Sequence, residues 1–98
     1  MEYKIRYLPL AVQDLHEIAG YLSGFYPGSA GRVLRELERR IAQLRQMPRM
    51  YPVYPLEPDY RKLTASQYLV FYRVNDETQT VEIHRVLRAS WDLPRYLK

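Results

Sequence analysis

Hydrophobic and polar residues alternate at the start of the chain and then change to a helical spacing. Within residues 2–8, Tyr3, Ile5 and Tyr7 are separated by charged side chains, which predicts a short strand with one buried face. Pro9 suits the first position of a helix, because its missing N–H has no partner there in any case. The apolar stripe of this predicted first helix consists of Ala11, Leu15, Ile18, Ala19 and Leu22.

A second amphipathic helix is predicted after a turn at residues 25–28. Ser29 is a good N-cap for it, and Pro48 ends the helical pattern. Its apolar stripe consists of Ala30, Val33, Leu34, Leu37, Ile41 and Leu44. Because the turn between the two helices is short, they should form an antiparallel hairpin.

The second half of the chain has the pattern of a β-sheet. Residues 47–58 carry four prolines and predict an extended connection. Three strand-like runs follow at 60–64, 68–74 and 80–87, and their short connections imply antiparallel pairing. The order strand, helix, helix and three strands predicts a single α+β domain over residues 1–98. In this two-layer fold the helical hairpin covers one face of a mostly antiparallel four-stranded sheet, and residues 91–97 form a short closing helix.

The second face of this sheet should be partly open, because no further long helix is predicted to cover it. The side chains that strand alternation places there are Leu69, Phe71 and Arg73 from one strand and Glu82, His84 and Arg88 from the next. A β-bulge would shift this register, and Arg85 could then reach either side. A mixed apolar and basic surface is typical of a binding site, unless residues 91–97 fold back over it.

The amino-acid composition favours some functions of the chain and excludes others. Lys and Arg total 15 against 11 Asp and Glu, a net charge of +4, and there are 10 tyrosines. This balance suits a nucleic acid or an acidic protein partner, although +4 is also an ordinary solubility charge. The absence of cysteine excludes disulfides and thiolate catalysis, and two distant histidines disfavour a zinc site, so no metal or cofactor is expected. With no secretory signal pattern and no apolar run of roughly 20 residues, we expect a cytoplasmic protein without membrane contact.

Cationic side chains are concentrated on the three late strands. They are Arg61, Lys62, Arg73, Arg85 and Arg88. Such a set could clamp a phosphate backbone and stabilise the charge that develops in phosphoryl transfer, with His84 as general acid or base. The alternative for the arginines is a set of salt bridges, for instance to Glu82 or Asp92. The alternative for His84 is a strand residue without a chemical role.

Several motifs in order resemble the RelE/ParE toxins of type II toxin–antitoxin systems. On the first helix they are Pro9, Ala11, Asp14, Leu15, Glu17, Ile18, Tyr21 and Leu22. Later they are YRKL at 60–63, YLVFYRV at 68–74 and VEIHRVLRASWDLPRYL at 81–97. The resemblance covers nearly the whole chain and is greatest to the ParE branch. Where RelE members carry a strand arginine this chain has Leu69, and where many ParE members carry a histidine it has Arg88.

The resemblance implies a growth-inhibiting toxin of the plasmid-stabilisation type, held inactive by a co-encoded antitoxin and contacting operator DNA only through it. ParE-type toxins inhibit DNA gyrase, whereas RelE-type toxins cleave messenger RNA on the ribosome. The ParE branch favours gyrase and action by binding, and the alternative is a ribosome-dependent mRNA endoribonuclease. The target-binding candidates are Arg61, Lys62, Arg73 and Arg88. The catalytic candidates of the alternative are Lys62, Arg73, His84, Arg85 and Arg88. The antitoxin-binding candidates are Leu15, Leu22, Leu69 and Phe71.

Overall fold

Two helices pack on one face of a four-stranded sheet in a computed structural model that describes residues 2–25 and 28–90. The elements in chain order are β1 (Lys4–Tyr7), α1 (Pro9–Phe25), α2 (Ser29–Ala42), β2 (Arg61–Ala65), β3 (Tyr68–Asn75) and β4 (Thr80–Arg88), with a 3-10 turn at Gln43–Arg45. The predicted α+β class and order of elements are confirmed. The closing helix expected over 91–97 lies outside the described residues.

The sheet has the strand order β1-β4-β3-β2. β1 runs parallel to β4, and the pairs β4–β3 and β3–β2 are antiparallel. The helical hairpin follows β1 directly and lies over the face that carries Leu63, Val70 and Ile83, all fully buried. The buried side chains contributed by the helices are Ala11, Ile18, Leu22, Ala30, Leu37 and Ile41. Burial of each large apolar side chain in this layer contributes about 1.5–3 kcal/mol to the free energy of folding. The apolar stripes of both helices are buried against this face of the sheet.

The start of α2 differs by one position from the sequence prediction. Ser29, expected as the N-cap, is the first helical residue, and Gly28 occupies the cap position with a φ of 87°. This left-handed backbone conformation strains any residue with a Cβ atom, which explains a glycine at the turn.

A β-bulge in β4 changes the predicted faces of its second half. Phe71 pairs with Arg85 but Tyr72 pairs with Ile83, so His84 is the extra residue. Beyond it Val86 joins the core under the helices and Leu87 joins the opposite face. The expectation that Arg88 lies on the second face is therefore wrong, because one inserted residue reverses the alternation.

The proline-rich connection covers part of the second face. It passes around the β2 edge, where Val53 bridges to Arg61 and the Lys62 N–H donates to the Pro52 carbonyl at 3.1 Å. Beyond the edge Tyr54 packs edge-on against Phe71, with ring centroids 5.1 Å apart. A small second cluster forms there from Tyr54, Leu69, Phe71 and Leu87, with Tyr60 beside it.

The expectation of an open surface at Leu69 and Phe71 is consequently wrong. Leu69 is 6% exposed and Phe71 is 0% exposed. A partner could reach these two antitoxin-binding candidates only by displacing the connection.

Candidate functional site

The uncovered part of the second face is basic. Arg6, Glu82 and Arg73 lie in one row across three strands, because Arg6 and Arg73 are both register partners of Glu82. The Arg73 and Glu82 side chains are 3.8 Å apart, and 46% of the Arg73 side chain is exposed. We call this surface the basic sheet face and define it by Lys4, Arg6, Lys62, Arg73, Glu82 and His84.

Arg6 and Lys4 were missed as candidates. The charged positions of the first strand carried this signal, because alternation puts them opposite the half-buried Ile5 and Tyr7. What the pattern did not reveal was that β1 is the parallel neighbour of β4. Only that pairing brings Arg6 beside the predicted cluster.

His84 stands at the bulge on this face. Its ring meets Tyr60 edge-on with centroids 4.9 Å apart. Its Nε2 is buried and has no hydrogen-bond partner among the described residues. Burial lowers the pKa of His84 below its usual 6.5, the Arg73 guanidinium lowers it further, and Glu82 opposes the shift. The imidazole is therefore neutral near pH 7 and can accept a proton or a hydrogen bond.

Lys62 lies on the same face as His84. It is the register partner of Phe71, and its ammonium group is 5.5 Å from the centroid of the Tyr54 ring. Strand alternation predicted Arg73 and His84 on this surface, and the pairing of β2 with β3 adds Lys62 to them. The remaining cationic candidates are directed elsewhere.

Arg61 holds the connection in place. It is the register partner of Tyr72 on the helix side of the sheet, and its Nη1 donates to the Tyr51 carbonyl at 2.8 Å. The Tyr72 hydroxyl donates to the nearby Pro48 carbonyl at 2.9 Å, and burial raises the pKa of Tyr72 to about 12. The Arg61 guanidinium is thus occupied by backbone carbonyls away from the basic sheet face.

Arg85 passes to the helix side and pairs with Asp14. Its Nε and Nη2 donate to the two Asp14 carboxylate oxygens at 2.8 and 2.9 Å. The Val86 N–H donates to the same carboxylate at 2.9 Å. β1 ends at Tyr7, so the carboxylate takes the place that a strand partner would have at this edge of β4. The salt-bridge alternative thus holds for Arg85, with Asp14 as a partner that the sequence did not suggest.

Arg88 also lies on the helix side. Its guanidinium carbon is 5.5 Å from the centroid of the Tyr21 ring on α1. The cavity beside it has a volume of about 410 Å³ and is lined by Asp14, Glu17, Ile18, Tyr21, Tyr68, Val86 and Arg88. Of the five cationic candidates, Lys62 and Arg73 therefore lie on the basic sheet face. The side chains of Arg61, Arg85 and Arg88 lie elsewhere.

A second candidate surface is the groove between α1 and α2. It has a volume of about 470 Å³ and is lined by Tyr7, Val12, Leu15, His16, Ala19, Leu34, Leu37, Glu38 and Ile41. Leu15 thus faces this groove, whereas Leu22 is buried in the core at 9% exposure. An apolar floor with His16 and Glu38 as its polar groups suits the apolar face of an amphipathic segment. We call it the hairpin groove.

Metal-ligand clusters and membrane-spanning helices are both absent from the described residues. Within residues 2–25 and 28–90, no three acidic or histidine side chains converge as metal ligands would. No helix in this part of the chain is long and apolar enough to cross a membrane. The arrangement offers a basic surface and a separate apolar groove, and both suit macromolecular partners.

The fold and the sequence together define a small toxin of the RelE/ParE class. Residues 5–93 match the model of the ParE toxin of type II toxin–antitoxin systems, parDE. Toxin ParE1 of Mycobacterium tuberculosis H37Rv is 38% identical over 69 residues, which are 69% of each chain. The chain belongs to the ParE family and is a toxin component of a type II toxin–antitoxin system.

Solved structures share the fold. A chain of the chromosomal ParDE system from P. aeruginosa matches with a TM-score of 0.78 and 20% identity, over 91% of this chain and 98% of the other. A chain of the intact E. coli RelBE toxin–antitoxin complex matches with a TM-score of 0.65 and 20% identity, over 91% and 99%. At 20% identity these two matches establish the fold alone, and the ParDE and RelBE chains share that fold.

Proposed function

We propose that this toxin inhibits DNA gyrase by binding and is neutralised by a co-encoded antitoxin. The observation that carries the proposal is membership of the ParE family over residues 5–93, since gyrase is the target of ParE-type toxins. The separation of the Arg61, Arg85 and Arg88 side chains from Lys62 and Arg73 supports binding over catalysis. Three of the five cationic candidates point away from the surface where a phosphate would be cleaved.

The basic sheet face is the proposed target surface. Lys62 and Arg73 project from paired strands, so their positions are fixed before any encounter. Glu82 contacts Arg73 only at 3.8 Å, and nearly half of the Arg73 side chain remains exposed. Such a cationic surface accelerates association with an acidic patch on the target and makes it sensitive to salt.

The hairpin groove is the proposed antitoxin site. Val12 is 41% exposed at its edge although it is apolar, and Leu15 lines its floor. An amphipathic antitoxin helix laid along the groove would bury both side chains. Leu15 remains an antitoxin-binding candidate on this account, and Leu22 contributes by shaping the core beneath.

The mRNA endoribonuclease is the second candidate, and His84 is the observation that favours it. Its buried Nε2 is unpartnered among the described residues and lies on the same face as Lys62 and Arg73. A neutral imidazole there could remove the proton from an RNA 2′-hydroxyl while the two cations stabilise the phosphate. In that event the basic sheet face would carry messenger RNA on the ribosome.

Supercoiling by purified gyrase tests the proposal. The toxin should inhibit it, and addition of the antitoxin should restore it. Arg73→Glu should weaken inhibition by about tenfold or more, because it reverses a charge at the proposed interface. Arg32→Glu makes the same charge change on α2, away from both candidate surfaces, and should keep inhibition within about twofold.

A parallel assay with ribosomes programmed with messenger RNA separates the two candidates. Unimpaired supercoiling together with mRNA cleavage that His84→Gln abolishes would reject gyrase inhibition and establish the nuclease. Absence of both activities in a toxin that binds its antitoxin would reject both candidates.

A further inference from the structure

We propose that the exposed face of α2 binds the phosphate backbone of duplex DNA while the toxin is held by its antitoxin. We call this surface the arginine stripe and define it by Arg32, Arg35 and Arg39. The proposal rests on the antitoxin partnership of the proposed function and holds whether the target is gyrase or the ribosome. It departs from the expectation that the toxin meets operator DNA only through the antitoxin.

The arginine stripe lies along the outer side of α2. Its members are three and four residues apart, so they share one face of the helix. A rise of 1.5 Å per residue spreads them over about 10 Å of the helix axis. All three are exposed, and 61% of the Arg39 side chain is in contact with solvent. Leu37 and Ile41 are buried on the other side of the same helix. The stripe is therefore a row of cations on a rigid element.

Positive charge is in excess on α2. The helix carries four arginines against two glutamates. Glu36 accepts a hydrogen bond from Arg39 Nη2 at 2.8 Å and another from Arg40 Nε at 3.0 Å, so one carboxylate serves two guanidinium groups. Arg32 and Arg35 form no ion pair with any described residue. These two guanidinium groups are available to an external anion.

Gly31 leaves room for the Arg35 guanidinium beside the helix. A Cβ atom added at Gly31 would lie only 3.0 Å from Nη1 of Arg35. The guanidinium therefore lies directly over the glycine, close to the helix backbone. Its planar fork of N–H donors matches the geometry of a phosphate group, which it can bind through two parallel hydrogen bonds.

The stripe lacks the apolar groups that other partners require. The core of a protein–protein interface is enriched in aromatic side chains and methionine, and single-stranded nucleic acids need aromatic rings on which their bases stack. The large apolar side chains that are exposed in the described part of the chain all lie outside α2. Contacts to a duplex backbone need only cations, because they are electrostatic and independent of sequence. Duplex DNA is therefore the partner that this surface fits.

An antitoxin in the hairpin groove leaves the stripe accessible. The α2 residues that line the groove are Leu34, Leu37, Glu38 and Ile41. None of the three stripe arginines is among them, since they lie on the outer side of the helix. A toxin–antitoxin complex can therefore present the arginine stripe to DNA.

Fluorescence anisotropy on the full complex tests this proposal. The toxin is co-purified with the antitoxin encoded beside it, and the probe is a labelled duplex of the DNA directly upstream of the two genes. The double variant Arg32→Gln, Arg35→Gln should weaken binding by about tenfold. It should also reduce the slope of log K against log salt concentration by about 2, because each lost phosphate contact removes about 0.9.

A scrambled duplex of the same length and composition is the second probe. The double variant should weaken binding to both duplexes by the same factor, because phosphate contacts carry no sequence information. Arg49→Gln is the matched control. It removes an exposed guanidinium outside α2, which pairs with Asp76, and should keep the DNA affinity within about twofold and the salt slope unchanged.

The antitoxin affinity of the double variant should stay within about threefold of that of the wild type, since both substitutions are at exposed positions. A loss of antitoxin affinity would assign the stripe to the antitoxin interface and overturn the proposal. An unchanged salt slope in the double variant would also overturn it, as would the absence of DNA binding by the wild-type complex. Tighter binding of a duplex RNA than of the DNA would assign the stripe to RNA instead.

The same experiment separates this proposal from the proposed function. DNA binding through the stripe by a toxin that leaves gyrase active would reject the target alone. Failure of the toxin and antitoxin to form a complex would reject the partnership, and with it DNA binding by the complex.

Discussion

Asp14 is a buried carboxylate that joins α1 to β4 through three hydrogen bonds. It is 6% exposed, and its partner Arg85 has 17% of its side chain exposed. Because the carboxylate also caps the Val86 N–H next to the bulge, it fixes which β4 side chains face the helices. Its effect on the basic sheet face is indirect and passes through the backbone.

Asp14→Asn should lower the free energy of unfolding by about 3–5 kcal/mol, because it removes the carboxylate charge from a buried ion pair with Arg85. That is a large part of the roughly 5–15 kcal/mol expected of a domain. Urea denaturation measures it. Glu17→Gln, the same chemical change on an exposed part of the same helix, should cost under about 0.5 kcal/mol. Equal losses in the two variants would contradict a special role for Asp14.

His84 should make stability dependent on pH. Its pKa in the folded chain lies below 6.5, so below that pH the unfolded chain binds more protons and folding becomes less favourable. Unfolding free energy should therefore fall as pH decreases from about 7 towards 5. His84→Gln should remove this contribution, whereas His16→Gln should retain it because His84 is still present. An unchanged slope in His84→Gln would refute the shift.

Residue-level sequence analysis succeeded where alternation is local. It placed Arg73, Glu82 and His84 on one face, because Arg73 is on the strand without the bulge and Glu82 and His84 come before the alternation reverses. It misplaced Arg88, since one extra residue at His84 reverses every later side chain. The pairing of Asp14 was not predicted, because nothing in the local pattern shows that a strand edge 72 residues away needs a hydrogen-bond acceptor.

At the scale of elements, the helices and strands follow from their periodicity. The two apolar stripes could be buried only against a sheet, and the sheet face rich in β-branched residues matched them. The path of the proline-rich connection could not be predicted in the same way. Its prolines exclude helix and central strand, but the contact of Tyr54 with Phe71 depends on packing around the β2 edge.

Two glycines should respond to alanine with opposite signs. Gly20 lies within α1 with no atom near the position of an added Cβ, so Gly20→Ala should stabilise by about 0.8–1 kcal/mol. Gly28 also has open space, but its φ is +87°, so Gly28→Ala should destabilise by about 1–2 kcal/mol. Thermal or urea denaturation compares the two variants. A stabilising Gly28→Ala would show that the turn before α2 does not require the left-handed conformation.

At the scale of the whole molecule, the two candidate surfaces lie on different sides of one sheet. The hairpin groove adjoins the helix layer, whereas the basic sheet face lies opposite. An antitoxin on the first side can hold the toxin without covering every cation on the second. Family membership shows a type II toxin. Under the proposed function, the basic sheet face is the surface that binds gyrase.

Pulse-labelling after induction of this toxin alone in bacteria tests the proposed target most directly. Thymidine and amino-acid incorporation are followed separately, with co-expression of the antitoxin as the control. Gyrase inhibition predicts that thymidine incorporation falls first while protein synthesis persists. A fall in amino-acid incorporation within minutes, with DNA synthesis continuing, would contradict it and identify translation as the target.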